Sequence, residues 1–324
     1  MENTTRLLQR QAALLAGRRA LIIDANDGAL RDLPAAHLHL HGDLANLPLD
    51  QTAPVPEIPA DTDLLIVILP KARERLDMLL ATLAGNLSAP MECWLVGPGK
   101  GGIRGALKQF ARHAGAEPEA VDSARHCKLY RGQLVPADPA PQSDFVRRWS
   151  LGGLTLCSLP GVFSHGRLDD GTDLLLEELK EKPPAGPVLD IGCGAGVLTA
   201  SLAAQGLSVT AVDVSATAVA ATRLTLAENG LHAEVHHSDL YQAVPGRFRT
   251  LCTNPPFHDG LTHTTDISRR LISEAPRHLL PGGQLLLVAN QGLPYGDWLR
   301  EHFTQVAVAR ENRRFKVWRA SLRA

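Results

Sequence analysis

The chain has 324 residues and a formal net charge of −1, with 44% hydrophobic and 21% charged residues. This composition excludes an intrinsically disordered protein, and the small net charge leaves any contact with RNA to local patches. No apolar run approaches the roughly 20 residues that a membrane-spanning helix requires, and the first residues lack the apolar core of a signal peptide. We therefore expect a cytoplasmic protein that does not associate with membranes.

The first half contains apolar strands that alternate with helical stretches. The first apolar run lies around Asp24 (ALIIDANDGAL), and the second ends at Pro70 (DLLIVILPK). The third leads into a helix that ends at Phe110 (MECWLVGPGKGGIRGALKQF) and is followed by the segment CKLYRG. The stretch VPADPAPQSD then has three prolines and no hydrophobic period, which predicts a linker. We place the linker at residues 135–145, between domains over residues 1–134 and 146–324.

Histidine and cysteine patterns do not predict a metal site. His37, His39 and His41 alternate in HLHLHG and would share one face of a strand, where they could hold a metal, but a solvated strand face is the commoner explanation. The five cysteines are scattered, with no two within four residues of each other. This spacing excludes a zinc knuckle and argues against a disulfide framework.

The second half repeats the order of the first at an offset of roughly 190 residues. PVLDIGCGAGVL parallels the segment around Asp24, LCTNPPF parallels DLLIVILPK, and FKVWRA parallels CKLYRG. Alternating strands and helices predict a parallel sheet with helices on both faces, and the closing VAVARENRRFKVWRASL predicts a hairpin that adds an antiparallel strand. We therefore predict an α/β protein with two tandem Rossmann-like domains derived from a duplicated fold.

Two motifs of the second half are missing from the first. Only Gly28 is present where the second half has three glycines, and no Asn-Pro-Pro precedes Lys71. The N-terminal copy is therefore predicted to be degenerate and catalytically silent, with a role in substrate binding or in support of the second domain.

A glycine loop with three acids predicts an adenosine pocket. A strand that contains Asp190 runs into a G-x-G-x-G loop, and the next two strands each end in an acid, which could accept hydrogen bonds from ribose and adenine. A plain strand-to-helix turn and helix-capping acids are the alternatives. The spacing also differs from the G-x-G-x-x-G of dinucleotide-binding dehydrogenases. The residues concerned are Asp190, Gly192, Gly194, Gly196, Asp213 and Asp239.

The segment Asn254, Pro255, Pro256 and Phe257 predicts the catalytic loop. Two prolines stiffen the backbone at the end of a strand, where open α/β sheets bind ligands. The amide oxygen of Asn254 and the carbonyl of Pro255 can accept hydrogen bonds from a planar amino group, and Phe257 can stack on a base. Such a site would act by orientation and polarisation of the amine. A proline-stiffened turn is the alternative.

These motifs resemble class I S-adenosylmethionine-dependent methyltransferases that methylate nitrogen. PGVFSHGRLDDGTDLLL, NPPFHDG, LVANQGLPY and RFKVWRA further resemble the bacterial 16S rRNA guanine-N2 methyltransferases that modify guanine(1207), over Pro160 to Ala320. The resemblance implies S-adenosylmethionine as cofactor, S-adenosylhomocysteine as product, no metal, and 16S rRNA or the 30S subunit as partner. We expect a monomer, since the two halves could cover each other's exposed surfaces.

The resemblance also assigns site residues. The three loop glycines would hold the methionine part of the cofactor, Asp213 the ribose, Asp239 the adenine, and the NPPF segment a flipped guanine. Four residues before the loop would help to close the cofactor site: Phe163, Asp169, Gly171 and Thr172. Basic residues after the motif and near the C-terminus could contact RNA, namely Arg269, Arg270, Arg313, Arg314 and Lys316. For the residues near the C-terminus, a solvated strand face would explain the positive charges equally well.

Several other functions remain compatible with the motifs. Guanine-N2 methylation of 23S rRNA would use the same pocket, and adenine in DNA or glutamine in a protein would use the same loop. Enzymes of the last two kinds more often have Tyr where this chain has Phe257. A non-enzymatic RNA-binding assembly factor that retains the fold is the alternative from a different class.

Overall fold

The computed structural model describes residues 1–255 and 262–323, which form two compact units, Met1–Val146 and Arg147–Ala324. Across this described part, no helix is both long and apolar enough to cross a membrane.

A seven-stranded sheet forms the centre of the first unit. Its strands are β1 Arg19–Ile23, β2 His37–Gly42, β3 Gln51–Thr52, β4 Leu64–Ile68, β5 Met91–Pro98, β6 Glu119–Ala124 and β7 Cys127–Leu134. Its helices are α1 Asn3–Gln9, α2 Ala12–Leu15, α3 Arg73–Gly85 and α4 Ile103–Ala114, with short 3-10 helices at Gly28–Asp32 and Gln142–Phe145. The strand order is β3-β2-β1-β4-β5-β7-β6, and β7 runs antiparallel to both of its neighbours.

The second unit has a small hairpin followed by another seven-stranded sheet. The hairpin is β8 Arg147–Leu151 with β9 Leu154–Ser158, and the sheet strands are β10 Val188–Ile191, β11 Val209–Asp213, β12 Glu234–His237, β13 Phe248–Thr253, β14 Leu279–Asn290, β15 Gln305–Glu311 and β16 Phe315–Ser321. The helices are α5 Asp170–Glu181, α6 Val197–Ala203, α7 Ala216–Glu228, α8 Thr262–Glu274 and α9 Tyr295–Arg300, with a 3-10 helix at Ala275–His278.

The two sheets have the same topology, which confirms the prediction of a duplicated fold. The second sheet has the order β12-β11-β10-β13-β14-β16-β15, which matches the first sheet strand for strand. The predicted C-terminal hairpin is also confirmed, since β16 pairs antiparallel with both β14 and β15.

Strand pairing corrects the alignment of the two halves at the first loop. The last residue of β1 pairs with β4 just as the last residue of β10 pairs with β13. The residue that follows has a positive φ in both units, 60° at Asp24 and 76° at Gly192. Asp24 therefore corresponds to Gly192, and not to Asp190 as the sequence comparison suggests.

The central parallel strands β1, β4 and β10 are covered on both faces, so their residues are buried without alternation. In β1, Ala20 and Ile22 belong to one apolar cluster with α1, whereas Leu21 and Ile23 belong to another with α3 and α4. β10 divides its residues in the same way, between a cluster that includes α8 and α9 and one that includes α5. Complete burial of such a side chain stabilises the fold by roughly 1.5–3 kcal/mol, so these strands form rigid supports for the loops that follow them.

Residues 135–145 pack against the first unit. The amide of Val135 donates to the carbonyl of His113 on α4, and the amide of Ala137 donates to the carbonyl of Ala84 on α3, both at 3.0 Å. The segment that the sequence analysis assigns to a linker is thus held by main-chain hydrogen bonds to two helices.

The histidines of β2 do not share a solvated face. His37 is exposed, but His41 is completely buried, and its Nε2 lies 2.9 Å from the carbonyl oxygen of Ala53. Burial lowers the pKa of His41 to about 4. The interpretation as a solvated face is therefore wrong at this position. Among the described residues, no group of three His, Cys, Asp or Glu side chains could hold a metal.

Candidate active site

The candidate site lies at the carboxyl ends of β10 and β13, the edge where open α/β sheets bind ligands. A small cavity of about 50 Å³ is found here. Six of the ten residues predicted for the cofactor line it, namely Phe163, Asp169, Thr172, Asp190, Gly192 and Gly194, and Asn254 lines it as well. Gly171, Gly196, Asp213 and Asp239 are not part of the cavity wall.

The glycine loop leaves space beside its backbone. Gly192 and Gly194 have φ values of 76° and 55°, and a Cβ added at either position would meet no atom within 4 Å. A ligand can therefore approach the main chain closely at these two residues. At Gly196 a Cβ would lie 3.1 Å from Cγ2 of Thr222, so the absence of a side chain there permits close packing of the loop on α7.

Asp190 is a buried carboxyl group at the cavity wall. Its Oδ2 accepts a hydrogen bond from the Thr199 hydroxyl at 2.6 Å, and its Oδ1 has no hydrogen-bond partner within the described residues. Burial raises the pKa of Asp190 to about 7, against the hydrogen bond from Thr199, and the charge of Asp213 adds to the increase. An unpartnered carboxyl oxygen in this position suits a ligand that carries positive charge or donates a hydrogen bond.

The two other acids are held by the protein itself. Asp213 accepts hydrogen bonds from the amide of Gly194 at 3.0 Å and from the amide of Ser215 at 2.9 Å, which ties the end of β11 to the glycine loop. Asp239 lies 3.2 Å from a guanidinium nitrogen of Arg270 on α8. The structure thus links a residue predicted to bind adenine with one predicted to bind RNA.

Asn254 follows β13 and is anchored through its amide nitrogen. Nδ2 donates to Oδ2 of Asp169 at 2.9 Å and to Oγ1 of Thr172 at 2.8 Å. Its Oδ1 is buried and has no hydrogen-bond partner in the part of the chain that the structure describes. A rigidly held acceptor is therefore present at the cavity wall. Pro255 is buried, whereas Pro256 and Phe257 lie outside the described residues.

Seven residues of the cavity wall are missing from the sequence-based set, and two of them, Trp149 and Arg167, carry polar groups on long side chains. Trp149, on β8, has a buried indole Nε1 with no hydrogen-bond partner within the described residues, and Arg167 lies just before α5. Arg167 stands in the segment PGVFSHGRLDDGTDLLL, on which the family resemblance is based. For Trp149 the sequence provides no comparable signal, because it belongs to a hairpin that precedes the sheet.

The two arginines of α8 differ in their contacts. The guanidinium carbon of Arg269 lies 4.8 Å from the ring centroid of Trp298, and its side chain is exposed. Arg270 forms ion pairs with Asp239 and with Glu274, the latter at 3.5 Å. Arg269 is therefore the more available of the two for a phosphate.

The basic residues near the C-terminus are partly neutralised. Arg314 pairs with Asp170 at 2.7 Å, and Lys316 lies 3.7 Å from Glu311. Arg313 is exposed. Surface ion pairs are weak, so these contacts would not prevent the side chains from exchanging a carboxylate for a phosphate.

The corresponding loop of the first unit contains charged side chains in place of open space. Asp24 stands where the second unit has Gly192, and its Oδ1 accepts from Nε and Nη2 of Arg75 at 3.0 and 2.7 Å. A second carboxylate, that of Asp43, lies 3.9 Å from the same guanidinium group. Arg75 is only 5% exposed. A buried ion pair thus occupies the loop that forms a ligand cavity in the second unit.

Both sheets have the strand order given above, and the second unit adds an open glycine loop after β10 and an asparagine after β13. These features define a class I S-adenosylmethionine-dependent methyltransferase. Comparisons with known proteins agree. Residues 5–149 match the methyltransferase small domain N-terminal family and residues 153–319 the methyltransferase small domain family. The described residues also fit S-adenosylmethionine, because the cavity combines open backbone at two glycines with an unpartnered buried carboxyl oxygen.

Full-length relatives give a narrower family. The chain is 50% identical to ribosomal RNA small subunit methyltransferase C of Alcanivorax borkumensis, with 99% of this chain and 100% of the relative covered, and 39% identical to that of Shewanella sediminis, with 98% of each covered. A solved structure of the T. thermophilus 16S rRNA N2 G1207 methyltransferase in complex with AdoMet and guanosine superposes with a TM-score of 0.87 at 25% identity, over 99% of this chain and 92% of that one. The chain belongs to the family of ribosomal RNA small subunit methyltransferases C, which confirms the resemblance stated from the motifs.

Proposed function

We propose that this protein transfers a methyl group from S-adenosylmethionine to the exocyclic N2 of a guanine in 16S rRNA, with free 16S rRNA or the 30S subunit as its partner. The observation that carries the assignment of the site is the Asn254 amide, whose nitrogen is anchored and whose buried oxygen lacks a partner among the described residues. An unpartnered buried acceptor costs roughly 1–3 kcal/mol. A substrate that donates a hydrogen bond would remove this cost, and the N2 amino group of guanine is such a donor.

Asn254 acts on the amine through a neutral acceptor. A hydrogen bond from the amine to Oδ1 holds one N–H in the plane of the amide and directs the nitrogen lone pair out of that plane. Electron density on the nitrogen also rises as the N–H bond is polarised. Catalysis then depends on orientation and on a preorganised dipole. The methylated nitrogen would lose its extra proton to water after the transfer, so no strong base is needed at the site.

The cofactor is assigned to the glycine loop and its neighbours. When bound, S-adenosylmethionine supplies an electrophilic methyl group on a sulfonium centre. Gly192 and Gly194 leave room for it, the unpartnered oxygen of Asp190 would favour its positive charge, and Asp213 and Asp239 would accept hydrogen bonds from its ribose and adenine. Asp239 can do so only in competition with Arg270, which lies 3.2 Å away.

The remaining assignments concern RNA and the first unit. Arg269 is the best-placed contact for phosphate on α8, while Arg313, Arg314 and Lys316 form a second candidate patch. Pro256 and Phe257 are proposed to complete the guanine pocket. We assign the first unit, residues 1–134 with the following segment 135–145, a role in RNA binding or in support of the catalytic unit, residues 146–324. The protein is proposed to act as a monomer in the cytoplasm.

The proposal can be tested with tritiated S-adenosylmethionine. The protein is incubated with 30S subunits, 50S subunits and free 16S rRNA, all isolated without the native modification, and an Asn254→Ala variant is used in parallel. We expect N2-methylguanine in the small-subunit samples for the wild type and at least a 100-fold lower rate for the variant, the loss typical when one preorganised polar group is removed.

Other outcomes would contradict specific parts of the proposal. Label in 50S subunits alone would assign the enzyme to 23S rRNA. Label in DNA or in protein amides, offered in a separate reaction, would assign a different substrate class. Calorimetric binding of the cofactor without transfer to any acceptor would favour an RNA-binding assembly factor, and an Asn254→Ala variant with wild-type rate would remove Asn254 from the mechanism.

A further inference from the structure

We propose that Asp169 and Thr172 are positioning residues that fix the amide of Asn254 with its oxygen toward the amino group of the substrate. This inference rests on the proposed function, in which Oδ1 of Asn254 accepts a hydrogen bond from the amine. It replaces the role in closing the cofactor site that the family resemblance suggests for these two residues.

The chemistry of the two partners determines the orientation of the amide. Oδ2 of Asp169 accepts from Nδ2 of Asn254 at 2.9 Å, and an ionised carboxylate has no proton to donate. The end of the Asn254 side chain that faces Asp169 must therefore be the NH2 group. If the amide were rotated by 180°, its oxygen would face the carboxylate, and the hydrogen bond to Asp169 would be replaced by repulsion.

Thr172 supplies a second acceptor for the amide nitrogen. Its hydroxyl lies 3.5 Å from Oδ2 of Asp169 and 2.8 Å from Nδ2 of Asn254. A hydroxyl can donate or accept, so Asp169 determines the orientation of the amide, and Thr172 accepts from the second N–H while its own proton points toward the carboxylate. Both N–H bonds of the amide are thus satisfied by acceptors, and the oxygen is the only polar atom of the side chain left for a ligand.

The anchor is rigid because it is part of a helix cap. Oδ2 of Asp169 also accepts from the backbone amides of Gly171 and Thr172 at 2.9 and 3.0 Å, as the N-cap of α5. Asn254 therefore connects the end of β13 to the first turn of α5. An asparagine on the end of a strand could otherwise rotate about χ2 and present either end to the substrate.

The test compares Thr172→Val, which keeps the shape but removes the acceptor, with Thr172→Ser, which keeps the hydroxyl. Asp169→Gly removes the second anchor, and glycine is still accepted at the N-cap position of α5. Asp169→Asn keeps one side-chain oxygen that can cap the helix. We expect Thr172→Val and Asp169→Gly each to lower kcat by about tenfold or more, the loss typical when a supporting partner is removed. KM for 30S subunits and the calorimetric Kd for S-adenosylmethionine should change by less than about twofold. Thr172→Ser should recover most of the lost kcat.

A spectroscopic measurement reports on the amide itself. With 15N-asparagine labelling, the side-chain NH2 signals of Asn254, assigned by their loss in Asn254→Ala, should show slow hydrogen exchange in the wild type and in Thr172→Ser. In Thr172→Val and Asp169→Gly the exchange should be faster. Helix capping alone would not produce this pattern, because Thr172→Val leaves the Asp169 cap intact.

The possible results separate this inference from the proposed function. An inactive Asn254→Ala variant together with wild-type kcat in Thr172→Val and Asp169→Gly would overturn the positioning role and leave the proposed function standing. A weaker Kd for S-adenosylmethionine with unchanged kcat would return both residues to the cofactor site and also overturn it. A fully active Asn254→Ala variant would refute the two proposals together.

Discussion

Removal of Arg75 should destabilise the first unit far more than removal of a surface arginine. Arg75→Ala removes the guanidinium group that lies 2.7 and 3.9 Å from the carboxylates of Asp24 and Asp43, which are only 16% and 18% exposed. Loss of one partner of a buried pair typically costs about 3–5 kcal/mol. Arg112→Ala is the matched control, since its 2.9 Å pair with Asp77 is on the surface, where such a pair contributes about 0–1 kcal/mol.

The measurement is equilibrium unfolding in urea, combined with hydrogen exchange and mass spectrometry to locate the change in β1 and β4. We expect Arg75→Ala to lower the free energy of unfolding of the first unit by about 3–5 kcal/mol. Arg75→Met combined with Asp24→Gly removes both charges of the pair and should recover part of the loss. If Arg75→Ala costs no more than Arg112→Ala, the ion pair does not hold this loop and the interpretation is wrong.

Three further predictions concern titration and charge. His41, with a pKa of about 4 in the folded state, should make stability fall as pH decreases from about 6.5 to 4, and His41→Gln should reduce this dependence, as measured by urea unfolding. Asp190, with a pKa raised to about 7, should give the opposite pH dependence: its contribution to the free energy of unfolding is lost as pH rises from about 4 to 7. Asp190→Asn should remove this loss of stability with rising pH. Arg270→Glu should weaken binding of S-adenosylmethionine in calorimetry, because it repels Asp239, whereas Arg269→Glu should weaken methylation of 30S subunits only.

The fold was predictable from sequence because its signals are local. Apolar runs that alternate with helical stretches, together with turn residues, specify a parallel sheet in each half, and the polar turn before Phe315 specifies the final hairpin. The correspondence between the loop after β1 and the loop after β10 could not be predicted in the same way. Both Asp24 and Asp190 end an apolar run, and only the strand register and the positive φ of Asp24 assign it to the position of Gly192.

Part of the cavity wall was predictable from the sequence, but the contacts between its residues were not. Asn254 and Asp169 are 85 positions apart, and no pattern in the sequence indicates that one anchors the other. The same holds for Arg270 and Asp239, which were assigned to different ligands and form an ion pair. Trp149 lies on a hairpin outside the repeated fold. Contacts of this kind arise when distant segments meet at one edge of a sheet.

The loops after β1 and β10 share a backbone conformation but differ in what occupies the space beside it. A residue directly after the first strand must adopt positive φ, and glycine does so without a side chain, which leaves the cavity open at Gly192. At Asp24 the same backbone carries a carboxylate, and a buried carboxylate needs a cation nearby. Arg75 supplies that cation from α3. At this position the loop of the first unit therefore holds an internal ion pair where the second unit has room for a ligand.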